Sequence, residues 1–169
     1  MNEYQSILVS VRLKKDKSFT VSLSGKCMEP LFKAGDSVQI KKCDDYETGN
    51  ICFLRTENGE LLFHRIVGTV EYGYITKGDR AKKYEFTPRN NILGTVMRVR
   101  RSESNVMSDF CEGHVRMKIK ALLSRQYMRN YKHPSVYVSV KEIIAEHILF
   151  ILNSFDRWRL QNNHILVYR

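Results

Sequence analysis

Ser24-Gly25-Lys26-Cys27-Met28-Glu29-Pro30 leads through Leu31-Phe32-Lys33-Ala34-Gly35-Asp36 into Ser37-Val38-Gln39-Ile40. Small residues open a turn, a thiol follows, and Pro30 and Gly35-Asp36 punctuate the loop before an alternating strand. Such a turn can hold a side chain out while neighbouring backbone amides face a reacting carbonyl. Cys27 is the one side chain here with useful nucleophilicity at neutral pH, so it is the candidate nucleophile.

The chain around this turn reads as short strands. Ser6 to Leu13 and Phe19 to Leu23 alternate apolar and polar residues, with a charged turn at Lys14 to Ser18. Ile51 to Arg55 and Leu61 to Gly68 flank Glu57-Asn58-Gly59-Glu60, a hairpin turn because Asn-Gly tolerates positive φ. Val70 to Thr76 reads as a further strand bent at Gly73, Arg80 to Asn91 as a polar loop, and Ile92 to Val99 as the closing strand. Strands this short and closely spaced predict a mainly β domain over residues 1–101, a coiled sheet or a barrel.

The character changes at Arg101-Ser102-Glu103-Ser104-Asn105, a polar linker-like stretch. Residues 102–169 then predict an α-helical C-terminal extension. One helix spans Val115 to about Asn130 and is broken at His133-Pro134-Ser135. A second is capped by Ser139 with Glu142 three residues on, and runs to about Gln161. Its spacing predicts Ile143, Ile144, Ile148, Ile151, Leu152, Phe155 and Trp158 facing inward, as core or as the contact of a homodimer through these helices. Phe155 and Trp158 could alternatively dock a peptide.

With 169 residues, 43% of them hydrophobic, the chain can build a core, and nothing suggests disorder. The most apolar run, Ile143 to Leu152, is too short to span a bilayer and carries Glu146 and His147. Cys27, Cys43, Cys52 and Cys111 form no CxxC pair and no zinc spacing with the scattered histidines, so neither a metal nor any other cofactor is expected. Reduced thiols point to the cytoplasm. The net charge of +10 is spread over both parts, +6 in residues 1–101 and +4 in residues 102–169. Without a recognisable reading motif, that excess argues for a solvated basic surface before nucleic acid.

Taken together, the turn and three later blocks resemble a known family. Gly49-Asn50-Ile51-Cys52-Phe53, Phe63-His64-Arg65-Ile66-Val67-Gly68 and Tyr74-Ile75-Thr76-Lys77-Gly78-Asp79 follow in order, and Ile92-Leu93-Gly94-Thr95-Val96 looks like a closing strand. In order and spacing they resemble the signal-peptidase and SOS-repressor (LexA-like) clan of peptidases. The resemblance covers about residues 5 to 101 and leaves the last third unexplained. Cys27 stands where the clan carries Ser. His64 stands at the base position, as in archaeal and endoplasmic-reticulum signal peptidases, where other members use Lys.

The resemblance implies a Cys–His pair for acyl transfer, with Asp79 orienting His64 or stabilising its charged form. It implies an oxyanion hole from the amides of Lys26 and Cys27, and substrate contacts at Met28, Pro30 and Phe63. Substrate would bind as an added strand. The activity implied is a soluble cysteine-type endopeptidase that cleaves a precursor or leader peptide. The rival reading is an inactive peptidase-like protein that grips a peptide, or associates with DNA, without cutting.

Overall fold

The computed structural model describes residues 18–81, 83–110, 114–126 and 140–162. The strand expected at Ser6 to Leu13, the helix break at His133-Pro134 and the Ser139 cap lie outside them, as do Cys111, His133 and His164.

The β part comprises β1 (Ser18–Ser22), β2 (Ser37–Lys41), β3 (Ile51–Arg55), β4 (Leu61–Val70), β5 (Gly73–Lys77), β6 (Glu85–Pro88), β7 (Ile92–Arg100) and β8 (Ser108–Asp109). They form one antiparallel sheet in the order β1-β2-β7-β3-β4-β5-β6, with β8 on β7. Among the described residues the sheet is open, so of the two architectures expected it is the coiled sheet. Register irregularities at Gln39/Ile40, Phe53/Leu54 and Ile66/Gly68 bend it, as bulges do. The Asn58-Gly59 hairpin forms as its sequence demands, with Gly59 at φ 79°.

Three readings of the β part change. Val70 to Thr76 is not one strand, because Val70 ends β4, Glu71-Tyr72 turn the chain and β5 starts at Gly73. Arg80 to Asn91 is not all loop: Glu85–Pro88 pairs with β5 as an edge strand. Its polarity and its proline suit an edge, where one side of the ladder faces solvent. The presumed linker is also anchored. Arg101, 4% exposed, donates to Leu31 O and Asp36 Oδ2, and the Ser102 amide donates to Asp36 Oδ1.

Two helices follow, α1 (His114–Gln126) and α2 (Val140–Asn162). They pack together through a buried ion pair of Lys120 and Asp156, to which Arg116 adds a second contact at 3.1 Å. Both reach the sheet. Lys77 Nζ donates to Ser124 Oγ, Asn153 Nδ2 to Asp79 Oδ2, and Arg157 Nη1 to Asp36 Oδ2. Leu160 enters the main core beside Met28, Leu31, Phe32, Val38, Phe53 and Val99.

The expected inward face of α2 is corrected. Ala145, Leu149, Asn153, Asp156, Arg157 and Leu160 are buried, whereas Ile144, Ile148, Ile151, Phe155 and Trp158 are exposed. The sheet and α1 offer α2 charged groups, Asp36, Asp79 and Lys120, and a buried charge without a partner costs more than an exposed isoleucine. The helix therefore turns its polar stripe inward.

Candidate active site

The loop between β1 and β2 carries Cys27, and its ends are fixed before its tip is shaped. Leu23 N donates to Asp36 O and Gly35 N to Leu23 O, so the loop closes on itself, with Gly35 at φ 89° where only glycine is unstrained. Asp36 sits beneath, fully buried, holding Arg101 and Arg157 and the amides of Lys33 and Ser102. Met28, Leu31 and Phe32 plug the loop into the core. The tip is tightened by Glu29 N to Lys26 O and Phe32 N to Met28 O. Cys27 is thus half-buried on a rigid base.

The segment after β5 wraps around the thiol. Arg80 N donates to Cys27 O at 3.0 Å. A Cβ placed on Gly78 would stand 2.9 Å from Cys27 O, 3.0 Å from Cys27 Cβ and 3.3 Å from His64 Cδ2. Cys27 and His64 therefore meet at Gly78, and only a residue without a side chain lets them do so. The Cδ2 atom of the imidazole lies on the Gly78 side of the ring. Nδ1 lies across the ring, 4.0 Å from Glu85 Oε2, beyond hydrogen-bond reach and without a hydrogen-bond partner in the structure.

Asp79 is next to this pair but engaged elsewhere. Arg65 Nε and Nη2 donate to its two oxygens at 2.9 and 2.8 Å, and Asn153 Nδ2 adds a third bond. Arg65 also donates to Gly49 O. Asp79 therefore accepts no hydrogen bond from His64 and does not orient it in this arrangement. Its charge still acts on the ring, raising the imidazole's affinity for a proton against a larger opposing effect.

That larger effect is burial. His64, 5% exposed, is pushed down to about 4, first by desolvation and further by the Lys77 ammonium, with Asp79 opposing. Lys77 is itself lowered to about 8 by its burial, partly offset by Asp79. The Cys27 thiol is raised above its ordinary value, chiefly by desolvation and also by the Asp79 charge. Backbone at Phe63, Cys27 and Met28 opposes the rise. Sγ–H donates to Phe63 O at 3.3 Å, as a neutral thiol would. At neutral pH the resting pair is thiol and imidazole, not thiolate and imidazolium.

Beside Cys27 lies an apolar cavity of about 170 Å³, walled by Val21, Leu23, Met28, Phe53, Leu61 and Phe63. It would hold one aliphatic side chain of moderate size. Of the expected contact residues, Met28 and Phe63 line it with Cys27. Pro30 lines a different cavity, of about 640 Å³, with Glu29, Arg80, Glu146, Phe150 and Asn153. Lys26 is exposed at the turn. Among the described residues, no three His, Cys, Asp or Glu side chains are grouped to hold a metal ion.

Sequence reasoning singled out Cys27 and His64, which the fold brings together, and passed over three residues that shape their meeting. Gly78 was visible in Lys77-Gly78-Asp79, but its closeness to Cys27 is tertiary. Glu85 was hidden in a stretch read as loop. Asn153 lay on a helix face read as outward. The chain matches no protein-family model and no curated protein, so the site's chemistry rests on its own geometry.

Proposed function

We propose that the protein is a cysteine-type endopeptidase that cleaves a peptide or protein precursor, with Cys27 as nucleophile and His64 as its base. The observation that carries this is the convergence of Cys27 and His64 on Gly78, beside an apolar cavity able to seat a substrate side chain. In the proposed reaction His64 Nε2 takes the Sγ proton as sulfur attacks the peptide carbonyl. The amides of Cys27 and Lys26 hold the resulting oxyanion. His64 returns its proton to the leaving amine, the C–N bond breaks, and a thioester forms. Water, deprotonated by His64, then releases the acid and restores the thiol.

The magnitudes constrain how this runs. With the imidazole lowered to about 4 and the thiol raised above its ordinary value, both by burial, free proton transfer from thiol to imidazole is uphill. A standing ion pair is therefore not the resting state. Transfer coupled to attack fits better, because the imidazolium then forms beside Asp79 as the oxyanion meets its donors. Three described cysteines, Cys27, Cys43 and Cys52, are without disulfides, which supports a reducing, cytoplasmic setting. No described helix is long and apolar enough to cross a membrane.

A second reading is favoured by one observation, the raised thiol beside a depressed imidazole: a peptide-gripping protein that does not cut. Peptidyl acyloxymethyl ketones separate the two. Intact-mass spectra should show one adduct on Cys27, formed about 10²-fold more slowly in His64→Ala, in line with the usual value of a positioned base. Equal labelling in both proteins would favour the non-cutting reading.

A further inference from the structure

Among the described residues, the two helices expose an apolar surface. On α2, Ile144, Ile148, Ile151, Phe155 and Trp158 follow helical spacing and are each more than 40% exposed, with Ile151 at 63%. On α1, Val115, Ile119 and Leu122 repeat at helical spacing and are exposed as well. The stripes are neighbours, since the Arg116 guanidinium lies over the Phe155 ring at 5.0 Å and the Phe155 and Trp158 rings are 5.7 Å apart. Eight large apolar side chains exposed along the two helices exceed the scattered exposure of an ordinary surface.

The charges around this face say what covers it. Lys118 and Arg125 are exposed, and Arg116 and Arg159 are partly so. Among the described side chains of the two helices, Glu146 is the one carboxylate open to solvent, because Asp156 is buried between Lys120 and Arg116. A second copy would bring the same basic rim against itself. An anionic surface with an apolar interior would satisfy both features, and the whole chain is +10. Aromatic and branched residues framed by Lys and Arg are what helices lying in a membrane interface present.

We propose that the α1–α2 face, centred on Ile151, Phe155 and Trp158, docks the protein onto an anionic lipid bilayer, lying on it without spanning it. The inference is independent of the chemistry at Cys27.

Trp158 is the chain's only tryptophan, so its emission reports on this face alone. The full-length protein is titrated with vesicles of phosphatidylcholine containing a minor fraction of phosphatidylglycerol, and with phosphatidylcholine alone. Both are repeated with lipids brominated on the acyl chains. The expected result is a blue shift, quenching by brominated lipid and co-sedimentation with the anionic vesicles. Lys118→Gln and Arg125→Gln should each weaken binding about fivefold. Ile151→Glu and Phe155→Glu should weaken it at least about tenfold. All four positions are solvent-facing, and circular dichroism checks that each variant is folded.

Unchanged emission and protein left in the supernatant would overturn the proposal. So would a blue shift that follows protein concentration without lipid, which would assign the face to a second copy. Emission already blue and shielded from acrylamide in dilute, lipid-free protein would overturn it too, by showing the face covered within one molecule.

Discussion

Arg65 and Asp79 form a two-bond ion pair at 2.9 and 2.8 Å with side-chain exposures of 0% and 1%, adjacent in sequence to His64 and to Gly78, the glycine against Cys27. Because His64 and Arg65 are adjacent in β4, and Gly78 and Asp79 adjacent after β5, the pair fixes the distance between the two halves of the site. Breaking a buried pair by removing one partner typically costs about 3–5 kcal/mol. Asp79→Asn should lower stability by that order, measured by urea denaturation, and Arg65→Ala should do the same. The two changes combined should cost much less than their sum. Since the folded-state pKa of Asp79 is lowered, the pair's contribution is present above the ordinary aspartate value near ~3.9 and is lost as pH falls through the folded value.

His64 should impose a second pH dependence. Its folded pKa is about 4 against ~6.5 unfolded, so between these values the unfolded chain binds a proton that the folded protein refuses. Stability should therefore fall as pH drops from about 6.5 to about 4, by about 3 kcal/mol from this residue alone. His64→Gln should flatten that part of the pH–stability curve.

The thiol should behave as a protonated, shielded group. Iodoacetamide labelling of Cys27 should be slow at neutral pH and rise with a midpoint above ~8.5, because burial and the Asp79 charge both disfavour the thiolate. Fast labelling that persists at pH 6, and is lost in His64→Ala, would instead reveal a standing ion pair.

Gly78→Ala places a methyl 2.9 Å from Cys27 O and 3.0 Å from Cys27 Cβ, both parts of the main chain or fixed to it. The contact is relieved only by moving Cys27 away from His64. Overpacking of this kind costs about 1–3 kcal/mol. Peptide cleavage should fall further than stability, by about 10² in kcat/KM, as misplacement of reacting groups does.

Where the chain stated its structure locally, the sequence could be read directly. Alternation marked β3, β4 and β7, and Asn58-Gly59 marked the hairpin that aligns Cys52 with His64. Cys27 and His64 were legible because their turn and strand carry distinctive neighbours, Met28-Glu29-Pro30 and Arg65-Ile66-Val67. What failed was decided by long-range charge. The inward face of α2 was misread because Asp36, Asp79 and Lys120 needed Arg157, Asn153 and Asp156, and no periodicity of apolar residues records that need. Asp79 was expected to orient His64 or stabilise its charge; its two oxygens instead bind Arg65, because a guanidinium fork holds a buried carboxylate more strongly than a neutral imidazole does.

The most direct test of the account is cleavage itself. A peptide library prepared from whole-cell protein is incubated with wild type, Cys27→Ala and His64→Ala, and new termini are read by mass spectrometry. Wild type should produce a set of cleavages sharing an aliphatic residue at one subsite, fitting the cavity at Met28 and Phe63, and absent with both variants. The same termini with Cys27→Ala, or no wild-type cleavage beyond that of buffer, would contradict the peptidase assignment.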